Sequence, residues 1–389
     1  MPTRNGDQLR FTHLHLENWR NFSKIDTDLQ SRVFLVGPNA AGKSNLLDVF
    51  RFLHDLVSVG GGLQAAVQQK PRNGISSLRS LAARNPSDIV IRVRVGTESL
   101  PHHWEYELRL TQESRRHRPR ITRERVSRNG DEILARPLPE DSKDPERLTQ
   151  TFLEQVNANH EFRELAEFFG QVRYLHIVPQ LVREPDRSVG RQNDPFGGDF
   201  LEQLARTVAK TRKGRLSRIR KALRVAVPQL DDLELRRDER GTPHLRGKYA
   251  HWRPQGVWQT EDHFSDGTLR LLGLLWASLD GNGPLLLEEP ELSLHPEVVR
   301  FLPQMFARIQ RRGGRQIVVS THSTDLLRDS GIGVDEVLLL IPAKEGTRVQ
   351  GARDFQDVKA LLEGGATLAE AVMPLTRPAD AEQLMLFAE

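Results

Sequence analysis

Cysteine is absent from the 389-residue chain. That excludes disulfides and cysteine-ligated zinc, and it fits a reducing cytoplasm. No run of eighteen apolar residues occurs, so no segment is expected to span a membrane. Residues 1–10 are polar and lack the apolar stretch of a secretory signal. Internal repeats are missing, and no heptad pattern lasts long enough to build a coiled-coil arm. Acidic residues are missing locally: residues 210–224 hold eight Lys or Arg and no Asp or Glu. A second basic stretch, residues 115–128, is interrupted once, by Glu124. Such clusters suit nucleic-acid phosphates, or equally a solvated helix face and a charged hairpin, and composition leaves both open.

What is present begins with size. Apolar residues make up 38% and charged residues 28%, enough for one composite domain with an inserted lobe. Strands are expected around residues 10–16 and 25–29, then a short apolar strand, residues 33–36, that runs into a glycine-bearing loop. Beyond the loop, Leu46, Leu47, Phe50, Leu53 and Leu56 recur at helical spacing. Ile91, Val93 and Val95, then Trp104, Tyr106, Leu108 and Leu110, alternate with charged residues, the period of half-buried strands. Residues 145–227 read as mainly helical, with a strand near 172–178 and a polar loop at 186–198. From Leu271 onward the pattern returns to α/β: a helix, a buried strand at 285–287, a helix, a buried strand at 317–319, and one last strand at 337–341. A nucleotide domain split between the two ends of the chain is therefore expected.

The segment Gly37-Pro38-Asn39-Ala40-Ala41-Gly42-Lys43-Ser44 matches G-x-x-x-x-G-K-[ST] between a strand and a helix. Gly37 and Gly42 permit the tight backbone whose amides converge on phosphate oxygens. Lys43 brings a point charge to the β- and γ-phosphates, and the Ser44 hydroxyl suits Mg²⁺. Asn39, Ala40, Ala41 and Asn45 complete the expected nucleotide contacts. Late in the chain, Ser265-Asp266-Gly267-Thr268 opens an apolar helix, a hydroxyl with free amides for a γ-phosphate. The apolar run Leu285-Leu286-Leu287 ends in Glu288 and Glu289, placing two carboxylates at the carboxyl edge of a sheet. Glu288 is expected to hold Mg²⁺ through its water, and Glu289 to orient or deprotonate the attacking water. Ser293-Leu294-His295 and His322, just past the strand at 317–319, follow.

Taken together these residues resemble an ABC ATPase: Walker A at residues 37–44, signature at 265–268, Walker B at 285–288 with catalytic Glu289, D-loop near 293–295, and switch histidine His322. Glu288-Glu289-Pro290-Glu291 followed by Ser293-Leu294-His295-Pro296 is similar to the OLD-like ATPases related to SMC and RecF. The opening Leu16-Glu17-Asn18-Trp19-Arg20-Asn21-Phe22 and the run Lys43-Ser44-Asn45-Leu46-Leu47-Asp48 resemble the same group, as does Asp199-Phe200-Leu201 more distantly. The resemblance implies an ABC-type P-loop head, a RecA-like mixed sheet with an antiparallel β-subdomain, in four parts. Residues 1–140 and 261–345 form the two halves of the head, 141–260 an inserted mainly helical lobe, and 346–389 a C-terminal extension. It also implies ATP and Mg²⁺ as ligands and a homodimer with two composite sites. The switch so formed would sense DNA and control a separate effector, a nuclease or toxin, in bacterial anti-phage defence. The alternative is a RecF-like repair ATPase without a toxic effector.

The pattern departs from the class in two places. Glu288 stands where Walker B usually has aspartate, and Asp266 where transporters usually carry glycine. Gln180 is the best match to a Q-loop. No Cys-x-x-Cys hook and no acidic nuclease cluster after His322 are present. Arg215, Arg218 and Lys221 are the expected phosphate contacts of the basic segment. Gln383-Leu384-Met385-Leu386-Phe387 resembles the peptide with which bacterial proteins bind the replication sliding clamp, a glutamine and spaced apolar anchors suited to a hydrophobic groove.

Overall fold

The computed structural model describes residues 8–84, 87–113, 116–188, 194–250 and 256–377, together with Gln383 and Met385. Two compact units emerge: Met1–Arg173 with Asn282–Leu286 and Pro303–Glu389, and Tyr174–Gly281 with Leu287–Leu302. Among the described residues no helix is long and apolar enough to cross a membrane.

The first unit contains two sheets. One is antiparallel, in the order Phe22–Asp28, Arg10–Trp19, Ile89–Gly96, Trp104–Gln112, Pro119–Arg128, Asp131–Arg136. The alternation read from the sequence is kept: Ile91, Val93, Val95, Trp104, Tyr106 and Leu108 are all buried. The second sheet is built around Arg32–Val36, which lies parallel to Ile317–Thr321 on one side and to Val337–Ala343 on the other. The strand Leu285–Glu288 begins in this unit, where the Leu285 amide donates to Gln316 O at 2.9 Å. A strand absent from the sequence reading, Gly346–Gly351, pairs antiparallel with Val337–Ala343. It is short, polar and at a sheet edge, where no buried face imposes alternation.

The helix Lys43–Val57 follows the phosphate loop and buries Leu46, Leu47, Phe50, Leu53 and Leu56, the residues whose spacing marked it. Its polar residues are held as firmly. Arg72, fully buried, donates to Asp48 at 2.8 Å and to Asp55 at 2.7 Å, and Arg20 adds a bond to Asp48 at 3.1 Å. Burial alone would lower the pKa of Arg72; the two carboxylates outweigh it and raise it.

In the second unit, the helices Phe200–Arg206, Ala209–Ala226 and Asp266–Leu279 accompany a three-stranded antiparallel sheet, Val257–Thr260, Pro243–Tyr249, Leu230–Arg237. The inserted segment is therefore not helical throughout. Its strands were hidden because charged residues dominate them, leaving Leu230, Leu233 and Leu245 as their buried leucines. The apolar stripe of Ala209–Ala226 is narrow: Leu216, Ile219 and Leu223.

Candidate functional site

In the first unit, Val36 ends its strand and the chain turns sharply. Ala40 has a φ of 61° and Gly42 of 96°. A Cβ on Gly42 would lie 2.1 Å from Asn21 Nδ2, so a side chain is excluded there by conformation and by space. Gly37 is confined too, since its Cβ would stand 2.8 Å from Leu340 O. The Lys43 ammonium, buried, donates to Gly37 O at 2.9 Å and Pro38 O at 3.1 Å, closing the loop on itself. Asn39, Ala40 and Ser44 are exposed, while Ala41 is buried.

Asn21 braces this loop. Its Nδ2 donates to Ala41 O at 3.0 Å and to Thr347 Oγ1 at 2.9 Å, and its Oδ1 accepts from Asn45 Nδ2 at 2.7 Å. Trp19 Nε1 donates to Asn45 O at 3.0 Å. Asn45, expected to touch nucleotide, thus also ties the helix to the hairpin that carries Asn21. His322 and Thr324 share with Gly37, Pro38 and Asn39 a cavity of about 700 Å³, so the histidine and the phosphate loop face one space.

The second unit holds the other half of the predicted residues. Ser265 caps the helix Asp266–Leu279: its Oγ accepts from the Thr268 amide at 3.2 Å and lies 2.8 Å from Thr268 Oγ1. Gly267 is required by packing, since a Cβ would meet Ser293 O at 2.3 Å. The helix start at Gly267 and the backbone at Ser293 are therefore in van der Waals contact. Asp266, the departure from the transporter pattern, has a partner: an Arg183 Nη donates to Asp266 Oδ1 at 2.6 Å and to Phe264 O at 2.7 Å.

Glu288 ends its strand with its carboxylate accepting from the Tyr174 hydroxyl. Glu289 follows with a φ of 43° and Ser293 with 62°, left-handed conformations that cost non-glycine residues free energy and cluster at functional sites. Arg270 lines a small cavity with Glu288 and Glu289. Burial lowers its pKa against the attraction of Asp266 and Glu289. His295 Nδ1 accepts from the Glu297 amide at 3.2 Å, capping the short helix Pro296–Val299. Gln180 is exposed on the short helix Pro179–Val182.

A split ATPase head of this kind is matched by known proteins. The profile of the family described as "AAA domain, putative AbiEii toxin, Type IV TA system" matches residues 32–329, most of the chain. The chain belongs to this family. Among curated proteins none matches. Two solved structures share the fold of this AAA-domain chain, both with a TM-score of 0.50. One, "SmcHead bound to the C-winged helix domain of ScpA", is 13% identical and covers 87% of this chain and 96% of its own. The other, an "Smc head domain with an extended coiled coil bound to the C-terminal domain of ScpA derived from Pyrococcus furiosus", is 12% identical and covers 92% and 99%. The architecture is thus that of an SMC-type head, a P-loop sheet with an antiparallel β-subdomain, and membership of the AAA-domain family implies nucleotide binding.

Within this family member, three supporting residues escaped the sequence reading. Tyr174, Arg183 and Asn21 each orient a site residue from a distant position, and only Asn21 had a signal, its place in the opening Asn-Trp-Arg-Asn-Phe. Of the tail motif, only Gln383 and Met385 lie among the described residues.

Proposed function

We propose that this AAA-domain chain is an ATP-hydrolysing homodimeric switch that senses DNA and controls a separate effector such as a nuclease or toxin in anti-phage defence. The observation that carries this reading is the phosphate loop facing His322 across one cavity, with the signature and the paired acids built elsewhere in the same chain. In such a site Lys43 and the loop amides bind the triphosphate, and His322 reports the γ-phosphate. Glu289 takes the proton of the attacking water, which goes to the γ-phosphorus as the bond to the β-phosphate oxygen breaks, giving ADP and phosphate. Mg²⁺ would neutralise the phosphate oxygens. Such an ion needs only one or two protein oxygens besides the phosphates, and Ser44, exposed, and Glu288 are oxygens of that kind. The signature of a second copy completes each site, and the γ-phosphate supplies the contacts that favour the closed pair.

A separate effector is supported by the family description, which names a toxin system, and by the ScpA domains bound to the two similar heads. DNA sensing is supported by the basic helix Ala209–Ala226. Lys210, Lys213, Arg218 and Lys221 are exposed there and pair with no carboxylate among the described residues. A second reading, a RecF-like clamp-associated ATPase, is favoured by the tail Gln383-Leu384-Met385-Leu386-Phe387.

The test is Glu289→Gln. Turnover should fall by roughly 10²–10⁴-fold, and the protein should elute as a dimer with ATP but not with ADP by light scattering. Unchanged turnover and a monomer throughout would remove Glu289 from its role. Recovery of a stoichiometric effector from the host with the same variant supports the switch; recovery of sliding clamp alone supports the second reading.

A further inference from the structure

The cavity beside the phosphate loop has a second wall, and it comes from the C-terminal extension. Besides Pro38, Asn39 and His322, the cavity is lined by Met373, Thr376 and Arg377. This wall is built, not draped. The helix Leu368–Val372 opens with a reciprocal cap: Thr367 Oγ1 accepts from the Glu370 amide at 3.3 Å, and the Glu370 carboxylate accepts from the Thr367 amide and hydroxyl at 2.8 Å each. Leu368, Ala369, Ala371 and Val372 are buried. The helix packs on Thr324–Leu327, whose cap is Ser323, the residue after His322. The turn after it, Met373–Thr376, is fixed by Thr376 Oγ1 donating to Met373 O at 3.0 Å.

Two charged residues line the cavity, Glu370 and Arg377. The Glu370 carboxylate is engaged by Thr367, whose backbone and hydroxyl bonds lower its pKa. Arg377, an exposed residue, lines it as well, and a guanidinium suits phosphate oxygens. Met373 and Pro374 line it with apolar surface.

The geometry points to the segment Leu368–Arg377 as a part of the nucleotide site, with Arg377 contacting the γ-phosphate of ATP and the apolar turn shielding it. This rests on the ATP reading of the phosphate loop and goes beyond it. The extension becomes a reader of triphosphate against diphosphate.

The experiment is calorimetric titration of the full chain with ATPγS and with ADP, each with Mg²⁺, for wild type, Arg377→Ala and Arg377→Lys. Arg377→Ala should weaken ATPγS by about tenfold, the scale of one hydrogen bond to a charged group, and leave ADP within about twofold. Arg377→Lys should recover part of the loss, and amide exchange over residues 368–377 in wild type should slow with ATPγS and not with ADP. An ATPγS-to-ADP ratio unchanged in Arg377→Ala overturns the proposal while leaving the ATP reading intact. Failure of the wild type to bind either nucleotide overturns both.

Discussion

The two basic stretches that looked alike in the sequence are physically opposite. In the strand Pro119–Arg128 and its flank, most arginines meet carboxylates: Arg118 bonds Glu113 and Glu146, Arg125 bonds Glu132, and Arg123 lies 3.8 Å from Glu107. The one acid in that stretch, Glu124, is its buried centre. It accepts from Arg136 at 2.9 Å, the Phe152 amide at 2.9 Å, the Leu153 amide at 3.2 Å and the Tyr106 hydroxyl at 3.3 Å. In the helix Ala209–Ala226, by contrast, the arginines flanking the buried stripe are the ones with partners. Arg212 caps the preceding helix by bonding three carbonyls, Arg215 reaches Asp280 at 2.6 Å over the Trp276 ring, and Arg220 reaches Asp232 at 3.0 Å. The crown of that helix keeps its charge. Composition counts charges; whether they are spent on the fold depends on what the opposite strand or helix offers.

Arg215 therefore leaves the set of expected phosphate contacts: its guanidinium is engaged inside the fold. Lys213, Arg218 and Lys221 are the better probes of an anionic partner.

The largest effect expected from this contrast is on stability. Arg136 is fully buried between Glu124 and Asp141, so Arg136→Ala strands two carboxylates and should cost about 3–5 kcal/mol, read from urea denaturation. A loss below about 1 kcal/mol would mean that the network behaves like surface pairs. The next effect is on binding. Reversing Lys213, Arg218 and Lys221 together should reduce the slope of log K against log salt on duplex DNA by roughly 2–3, near 0.9 per lost phosphate contact, with no change in melting temperature. A slope equal to wild type would return this helix to a plain solvated face.

A third effect is confined to acid. Burial alone would raise the Asp141 carboxyl; bonds from Arg136, the Leu138 amide and Arg147 bring it down to about 2. A depressed carboxyl stabilises the fold above its unfolded pKa, near 3.9, and the contribution disappears as pH falls through the folded value. Asp141→Asn should thus be less stable than wild type at pH 7, with the gap closing from about pH 4 down towards pH 2 in denaturation at several pH values. A gap constant across that range would contradict the pairing. The smallest effect belongs to Arg123, half exposed beside Glu107: Arg123→Ala should change stability by less than about 0.5 kcal/mol and leave DNA binding as it was.

Much of the head was legible because its signals are local. The phosphate loop, the helix behind it and the apolar strands are each written in consecutive residues or in a single periodicity. What stayed hidden depends on distant partners. Asn21 matters because Ala41, Asn45 and Thr347 converge on it, and no spacing in the sequence announces that. Gly267 reads as part of a helix cap, and only the approach of Ser293 O shows why a side chain is excluded. The strands Leu230–Arg237 and Pro243–Tyr249 were masked by their arginines and acids, since a sheet with one solvated face needs few apolar residues. The wall made by Met373–Arg377 could not be read at all, because nothing in those residues suggests phosphate chemistry until His322 is seen to line the same cavity.

The central position of Arg32–Val36 has a consequence for how the protein is made. Its neighbour Ile317–Thr321 lies about 285 residues further along the chain, with Ile317 opposite Arg32. At roughly 5–20 residues per second on the ribosome, the phosphate-loop strand waits some tens of seconds for its partner to be synthesised. Until then the strand has two unpaired edges, an exposed apolar ribbon of the kind that chaperones hold and proteases cut. A ribosome that stalls before residue 317 releases a chain whose phosphate loop lacks its supporting sheet. The interleaved order of the chain thereby makes completion of translation a condition for a competent nucleotide site.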